Sequence, residues 1–242
     1  MKHSWLKNAP ICNKGLFDNQ TIVENTLPAI EKAIDCGYNL ILNISLTKDN
    51  RLVVCDSKKS TMLLSSHKKI ETLNYDEKEN LTLLNTTSVV PLLSDVLATI
   101  AGKVGLIFKI TNNNKYKKVI TELVKQIAYY KGKVAIIASS YPMYFFVKKL
   151  NKSLICGVIL RKNTSKFIYN AILFANVNFF KLIKPHFIIC DITNLPNKYL
   201  DDYLLSKPYS FIISRTVYDK QSYITALDYS DNFVFENYIP KK

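Results

Sequence analysis

The chain has few of the residues that most often carry out chemistry or read nucleic acids. Its 242 residues include three histidines and only three arginines, although lysine and arginine together number 33 against 19 acidic residues, for a net charge of +14. Protein surfaces that read bases favour arginine, whereas a lysine excess beside many Asn, Ile and Tyr residues is typical of an AT-rich genome. We therefore expect no nucleic-acid partner, despite the basic charge.

Glycine and proline are also scarce, with 6 and 8 residues, while 48% of the chain is apolar. Disordered and low-complexity classes are therefore excluded. There is no Pro/Gly/Ser-rich linker and no internal repeat, and 242 residues is a length that α/β barrels reach as one domain. The sequence predicts a single domain over residues 1–242.

Paired cysteines and long apolar runs are missing as well. The five cysteines are odd in number, widely spaced and set in apolar runs, which predicts reduced core residues rather than disulfides or a zinc site. They are Cys12, Cys36, Cys55, Cys156 and Cys190. The start lacks an apolar signal-peptide segment, and Asn and Lys residues interrupt the most apolar stretch, residues 168–183. We therefore expect a cytoplasmic location.

Short apolar runs alternate with helical patterns along the chain. The runs predict buried strands at Pro10–Cys12, Asn39–Leu46, Leu52–Cys55, Val104–Ile110, Val134–Ser139, Leu154–Leu160, Phe187–Cys190, Tyr209–Ser214 and Asn232–Phe235. Helices are predicted from a Thr26 cap to Gly37, and over Leu92–Ile100, Lys115–Tyr130, Met143–Leu150, Asn197–Leu205 and Gln221–Leu227. This alternation, with about eight strands, predicts an α/β fold of the closed (β/α)8, TIM-type barrel class.

One unit of the pattern is irregular. Only residues 47–51 separate the second run from the third, which leaves no room for a crossover helix, and Asp49-Asn50 is typical of a tight turn. The third run is followed by a polar, weakly periodic segment, residues 56–90. We expect this segment to be an insertion after the third strand, beside the barrel pocket, and the sequence leaves open whether it covers that pocket.

Few side chains are placed for catalysis in such a barrel. The histidines lie at the terminus, in the polar segment and before a strand, and the carboxylates that follow predicted strands, Asp56 and Asp191, have no acidic neighbour at metal-ligand spacing. Asn13-Lys14-Gly15 places an amide and a cation at the end of the first strand, and a plain turn is the alternative reading.

Several stretches carry a family resemblance that extends over essentially the whole chain. They are residues 11–19, 24–30, 46–49, 52–54, 69–73, 90–93, 187–192 and 235–240, and they include Glu24-Asn25-Thr26 and Leu46-Thr47-Lys48-Asp49. In order and spacing they resemble the glycerophosphodiester phosphodiesterase family. The resemblance implies the barrel with its insertion, and the hydrolysis of glycerophosphodiesters by two histidines, a divalent cation on carboxylates, and basic residues on the phosphate.

The residues at the matching chemical positions differ from that pattern. The two histidine positions are Asn13 and Asp56, and the arginine beside the first is Lys14. The metal-ligand positions are Ile41, Asn43 and Lys109, and Arg215 stands near the eighth strand where the family has an aromatic residue. We therefore name no confident catalytic residue and no metal ligand.

The replacements add positive charge, which suggests a hypothesis. We predict that Lys14, Glu24, Asn43, Lys109 and Arg215 bind a small phosphate-bearing ligand of the glycerophosphate type, in a catalytically degenerate homologue without metal-dependent hydrolysis. No cofactor is expected. In a decayed pocket, by contrast, Lys109 would pair with Asp56 or Glu24.

Two alternatives remain open at the level of sequence. The chain could retain weak or rearranged phosphodiester hydrolysis around Asp56, Lys109 and Lys14, with calcium or magnesium needed only in that case. It could instead be a scaffold or membrane-surface protein, whose aromatic and lysine-rich segment Asn178–Lys184 would contact an anionic membrane.

Overall fold

The computed structural model describes residues 3–110, 115–160, 178–206 and 210–240. Its strands are β1 Ile11–Asn13, β2 Asn39–Leu46, β3 Leu52–Val54, β4 Leu106–Ile110, β5 Val134–Ala138, β6 Ile155–Leu160, β7 Ile188–Asp191, β8 Ile212–Val217 and β9 Asn232–Phe235. The longer helices are α2 Leu27–Asp35, α4 Leu93–Ile100, α5 Tyr116–Ile127, α6 Tyr141–Leu150, α8 Lys198–Ser206 and α9 Lys220–Tyr229. Two short helices, α1 Trp5–Asn8 and α3 Ser60–Leu63, and the described part of α7, residues 178–183, complete the set with 3-10 turns at Ile70–Thr72, Lys78–Leu81 and Ile192–Asn194.

Eight parallel strands form a closed barrel. The hydrogen-bonded order runs from β1 through β9, β8, β7, β6, β5 and β4 to β2, and a further pairing of β1 with β2 closes the ring. Helices connect most successive strands, so the predicted (β/α)8 class is confirmed. Every apolar run identified in the sequence forms one of the strands, to within a few residues.

The ninth strand explains the irregular connection. β3 pairs antiparallel with the end of β2, with Ile44 opposite Val54 and Leu46 opposite Leu52. Antiparallel neighbours need only a tight turn, and Asn50 in this turn has a φ of 66°, as its residue type allows. The polar segment therefore follows an extra strand that stands outside the barrel ring.

Two apolar layers divide the side chains of the barrel strands. Ile41, Ile107 and Ile213 belong to a cluster inside the barrel, while Leu40, Leu42 and Phe108 belong to the layer between the sheet and the helices. Successive side chains of a strand point to opposite faces. Each residue two positions beyond an inner apolar side chain therefore faces the barrel axis, near the carboxyl end of its strand.

Helix α1 closes the amino end of the barrel, which the sequence did not predict. Trp5 and Leu6 join the inner cluster, and a Cβ on Gly105 would lie only 2.2 Å from the Trp5 ring. The Asn39 amide donates to the Trp5 carbonyl at 3.1 Å, and the Asn232 amide to the Leu6 carbonyl at 2.6 Å. A helix of 4 residues is too short to show a periodic pattern.

The insertion has an apolar core of its own, although its composition is polar. Its buried residues Leu64, Ile70, Leu73, Leu81, Leu83 and Val90 pack with Val53, Cys55 and Val23. The Lys48 amide donates to the Leu73 carbonyl at 2.8 Å, which ties the insertion to the β2–β3 turn. The insertion is thus a packed element beside β3 and the β1–α2 loop.

Two local expectations are corrected. Thr26 precedes α2 as predicted, but its hydroxyl donates to the Val23 carbonyl at 2.7 Å and so does not cap the helix. Cys36 is exposed at the end of α2, whereas the other four cysteines are buried. Within the described ranges, no helix has the length and apolar character needed to cross a bilayer.

Removing the Trp5 side chain of α1, which closes the amino end of the barrel, is expected to destabilise the fold. Trp5→Ala leaves a cavity under the inner cluster, and we expect the free energy of unfolding to fall by about 3–5 kcal/mol. Urea denaturation measures the change. Tyr129→Ala, at a residue 91% exposed, is the control and should stay within about 0.5 kcal/mol of the parent; an equally small effect of Trp5→Ala would show that α1 does not support the barrel.

Candidate functional site

Polar side chains line the carboxyl end of the barrel. Among the described residues, seven of them stand two residues after an inner apolar side chain, and so face the barrel axis. They are Asn13, Asn43, Lys109, Ser139, Asp191, Arg215 and Glu236, and we call them the polar layer. Active sites of (β/α)8 barrels are built at this end, so this layer is the candidate site.

Lys14 lies at the junction of the first and last barrel strands. Its Nζ is 2.9 Å from Oε2 of Glu24 and 3.0 Å from Oε1 of Glu236. Only 6% of the Lys14 side chain and 1% of the Glu24 side chain are exposed. Burial alone would lower the pKa of Lys14, but the two carboxylates outweigh it and raise that pKa above its usual value. Lys14 is thus a buried, paired cation.

Two further side chains complete this ion-pair group. The Asn13 amide donates to Oε2 of Glu236, and the half-exposed Lys59 of the insertion places its Nζ 3.4 Å from Oε2 of Glu24. The site residues predicted on the β1 side therefore come together, but two of their partners, Glu236 and Lys59, were missed. Glu236 could have been found, because it stands two residues after the inner Val234 and within residues 235–240, one of the stretches that carry the family resemblance.

The loop after β1 is held in a conformation that suits this pairing. Lys14 and Gly15 have φ values of 66° and 87°, in the region that glycine adopts without strain. A Cβ on Gly15 would lie 2.6 Å from the backbone of Ala29, so the loop packs directly on α2. The Asn-Lys-Gly turn identified in the sequence is therefore what directs Lys14 into the barrel mouth.

Lys109 stands across the sheet from Asn43, its register partner in β2. Its Nζ makes no hydrogen bond or ion pair with the described residues, so it pairs with neither Asp56 nor Glu24. Burial is the main cause that lowers the pKa of Lys109, and the Arg215 and Lys14 charges lower it further against a smaller opposing effect of Asp56 and Glu236. The polar layer thus holds an ammonium whose charge is not locally neutralised.

Four buried polar atoms beside Lys109 and Lys14 also have no partner in the described part of the chain. They are Oε1 of Glu24, Nδ2 of Asn25, and both amide atoms of Asn43. Asn25 and Asn43 adjoin, because the Asn43 backbone amide donates to Oδ1 of Asn25 at 3.4 Å. Buried polar groups are nearly always hydrogen-bonded, so such a cluster points to a water or a ligand.

Three other charged side chains stand at or just after strand ends, whereas His186 does not. Arg215 in β8 stands opposite Asp191 of β7 in the strand register, and its charge acts on Lys109 as described above. The Asp191 carboxylate accepts from the Thr193 backbone amide at 3.1 Å, and that of Asp56 from the Lys58 amide at 3.1 Å. His186 lies at the opposite end of the barrel, where its ring contacts that of His3.

The side chains at the family's metal-ligand positions do not fit a divalent cation. Ile41 is part of the inner apolar cluster, Asn43 offers one neutral oxygen, and Lys109 brings a positive charge. In the ranges that the structure describes, no group of three or more His, Cys, Asp or Glu side chains could hold a metal. These side chains therefore do not form the set of anionic oxygen ligands that a divalent cation prefers.

A cleft of about 490 Å³ adjoins the polar layer on its β1–β9 side. The β1–α2 loop lines it with Leu16 and Phe17, and the chain after β9 with Glu236, Tyr238 and Ile239. Lys14 Nζ lies 5.6 Å from the centre of the Phe17 ring, and Glu236 of the ion-pair group lines the cleft as well. The volume is within the range of small-molecule pockets.

The fold and the polar layer define a (β/α)8 barrel with a polar site of cations and carboxylates at its carboxyl end. The sequence profile of the glycerophosphoryl diester phosphodiesterase family matches residues 14–151. The chain belongs to this family. A sequence comparison with curated proteins gives no match.

Solved structures of glycerophosphodiester phosphodiesterases share the fold. The enzyme from Parabacteroides distasonis has a TM-score of 0.74 at 17% identity, with 94% of this chain and 92% of that chain covered. The one from Thermotoga maritima has a TM-score of 0.73 at 20% identity, with 94% of each chain covered. An Oleispira antarctica phosphodiesterase in complex with the product sn-glycerol-3-phosphate has a TM-score of 0.75 at 14% identity, with 94% and 92% covered.

Removing the paired lysine is expected to destabilise the protein strongly. Lys14→Met leaves the buried Glu24 carboxylate without its main partner, and we expect a loss of about 3–5 kcal/mol in the free energy of unfolding, measured by urea denaturation. Lys59→Met removes the exposed partner of the same carboxylate and should cost at most about 1 kcal/mol. Similar losses in the two variants would contradict the assignment of Lys14 as the main counter-ion.

Lys109 is expected to lower stability at neutral pH. The pKa of Lys109 in the folded protein is below its usual value of 10.5, so keeping this side chain charged lowers the free energy of unfolding. This loss is present in full below the folded pKa. It fades as the pH rises from the folded pKa towards the unfolded one. Lys109→Met should therefore raise the free energy of unfolding at pH 7, by about 0.5–2 kcal/mol, and the gain should shrink at a pH of about 10. Denaturation of both proteins at the two pH values checks this, and a destabilised Lys109→Met at pH 7 would contradict it.

Proposed function

We propose that this protein binds a phosphate-bearing ligand of the glycerophosphate type at the carboxyl end of its barrel, without metal-dependent hydrolysis. The observation that carries the proposal is the adjacency of the Lys109 ammonium and the buried Asn43 amide on neighbouring strands, neither of which has a side-chain partner in the described part of the chain. A phosphate oxygen would accept from Lys109, and a ligand hydroxyl or ester oxygen would meet the Asn43 amide.

The surrounding charges support an anionic ligand. Arg215 and Lys14 lower the pKa of Lys109, so an anion beside Lys109 would relieve repulsion among three cations. Glu24 and Glu236 neutralise most of the Lys14 charge, which leaves Lys109 as the principal cation for a ligand, with the Arg215 charge acting on it. We assign Lys109 and Arg215 to the phosphate, Asn43 to the ester or hydroxyl group, and Lys14 and Glu24 to shaping the site.

The donor chemistry supports a role without hydrolysis. Asn13 and Asp56 occupy the positions at which the family resemblance places its acid-base histidines, and the Asn13 amide is engaged with Glu236. An asparagine amide does not ionise near neutral pH, so it cannot act as a general acid or base. General acid-base catalysis increases the rate by about 10²- to 10⁴-fold. A degenerate homologue that retains ligand binding is consistent with these replacements.

The Oleispira antarctica complex offers the probe. That phosphodiesterase is described with sn-glycerol-3-phosphate bound, and the same compound is the natural first ligand for this chain. We also propose a cytoplasmic location, since the five cysteines are free and free thiols are typical of reducing compartments.

The proposal is tested by calorimetric titration and thermal unfolding with sn-glycerol-3-phosphate, inorganic phosphate and a glycerophosphodiester, each in excess EDTA. We expect stabilisation in EDTA, about 2.7 kcal/mol at a hundred times the dissociation constant. Lys109→Met should abolish binding although the variant is folded and stable. Lys131→Met, at an exposed lysine in the loop at the other end of the barrel, is the matched control and should bind as the parent does.

The other outcomes have defined meanings. Stabilisation only with calcium or magnesium, together with release of glycerol phosphate from the diester, would establish the hydrolase alternative instead. No stabilisation under any condition would indicate a decayed pocket and favour a scaffold role.

A further inference from the structure

A contiguous part of the chain carries no acidic residue. Residues 123–190 contain no Asp or Glu but include eleven Lys or Arg, whereas an even spread of the 19 acidic residues would place about five there. Strands β5 and β6 lie within it and β7 begins in it, and the three are neighbours in the barrel. The described part of this sector holds eight of the eleven cations and is therefore basic.

Apolar side chains are exposed on the helices of this sector. Phe145 of α6 is 51% exposed and Leu182 of α7 is 72% exposed. The Phe179 ring joins the two helices, since its centre lies 6.1 Å from that of Phe145 and 4.1 Å from that of Tyr141. Phe179 and Leu182 are three residues apart, so they lie on one face of α7.

Lysines surround this apolar centre. Lys149 lies one helical turn after Phe145, and Lys181 and Lys184 flank Leu182; all three are exposed and none forms a salt bridge with a described carboxylate. We call these residues, Phe145, Lys149, Phe179, Lys181, Leu182 and Lys184, the α6–α7 surface. Lys148 is not part of it, because its Nζ donates to the carbonyls of Lys152 and Leu154 at 2.9 and 2.8 Å.

The α6–α7 surface is held in place by buried contacts. The Tyr144 hydroxyl donates to the Ile183 carbonyl at 2.9 Å, and Phe180 is buried against the Tyr203 ring. Phe145 and Leu182 are therefore presented by fixed helices, so a partner would meet a preformed surface.

We propose that the α6–α7 surface docks onto an anionic lipid bilayer. Exposed aromatic and aliphatic side chains among lysines fit the boundary between headgroups and acyl chains, where the apolar groups enter and the ammonium groups extend to the phosphates. The acid-free sector supplies charge complementarity over a wide area, because each lysine near an anionic leaflet is attracted to it. This inference is independent of the ligand proposed for the barrel mouth.

Nucleic acid is the competing partner and fits less well. The only arginine of the acid-free segment is Arg161, and base contacts favour the arginine fork. A phosphate backbone would also leave Leu182 in water, whereas a bilayer would bury it.

Vesicle co-sedimentation tests the proposal. The full chain is mixed with phosphatidylcholine vesicles that contain about 30% phosphatidylglycerol and, separately, with vesicles of phosphatidylcholine alone. We expect binding to the anionic vesicles that weakens with added salt, and little binding to the neutral ones. Leu182→Ser and Lys181→Glu should each weaken anionic-vesicle binding by about tenfold.

The matched controls are Leu227→Ser and Lys220→Glu on α9, where both side chains are also exposed, and both should bind as the parent does. Lys109→Met separates a lipid headgroup held in the barrel mouth from docking by the α6–α7 surface, and it too should bind as the parent does. Equal binding to neutral vesicles, loss in the α9 controls, or binding that Leu182→Ser leaves unchanged would overturn the proposal. Binding of single-stranded RNA with no binding to vesicles would also overturn it, in favour of a nucleic-acid surface.

Discussion

The buried ion pairs of Lys14 fix the arrangement of the loop after β1 and the chain after β9 at the carboxyl end of the barrel. The lysine follows the first strand, and its two carboxylate partners come from the loop after that strand and from the residue after the last one. A buried charge is tolerated only when it is paired. The position of Glu236, and with it the start of the chain after β9, is therefore tied to the loop after β1. The hydrogen bond from the Asn13 amide to Glu236 adds a further contact between β1 and the chain after β9, where the barrel closes.

Lys14 and Lys109 differ in their surroundings, because two carboxylates neutralise the Lys14 ammonium. The charges of Lys14, Lys109 and Arg215 act on one another in the mouth. Lys14 is in contact with two carboxylates, whereas Lys109 has no such contact among the described residues. Where the family resemblance places metal ligands, this chain has an apolar side chain, an amide and an ammonium. In the ligand-binding role that we propose, the Lys109 ammonium supplies part of the positive charge that a bound cation would supply, and it needs no carboxylate cage.

Charge is also unevenly distributed on a larger scale. The acidic partners in the mouth come from the β1 and β9 side of the barrel, whereas the segment from residue 123 to residue 190 has none. Because consecutive βα units are neighbours in a closed barrel, this bias along the chain becomes a bias between two sides of the molecule. One side carries the ion-paired mouth and the packed insertion, and the other carries lysines around exposed Phe145 and Leu182.

The sequence by itself determined the fold class, because apolar runs of strand length alternate with segments of helical periodicity. Both patterns depend only on residues close together in the chain. It also determined which chemical groups stand at the strand ends, and the turn at Asn50. It did not reveal α1, the core of the insertion, or the pairing of Lys14 with Glu236, since these depend on contacts between residues far apart in the chain. Only the tertiary structure decided that Lys14 is neutralised, while Lys109 has no ion pair with the residues that the structure describes. Pairing of a buried charge depends on which carboxylates reach it in space, and a separation of 222 residues hides that from the sequence.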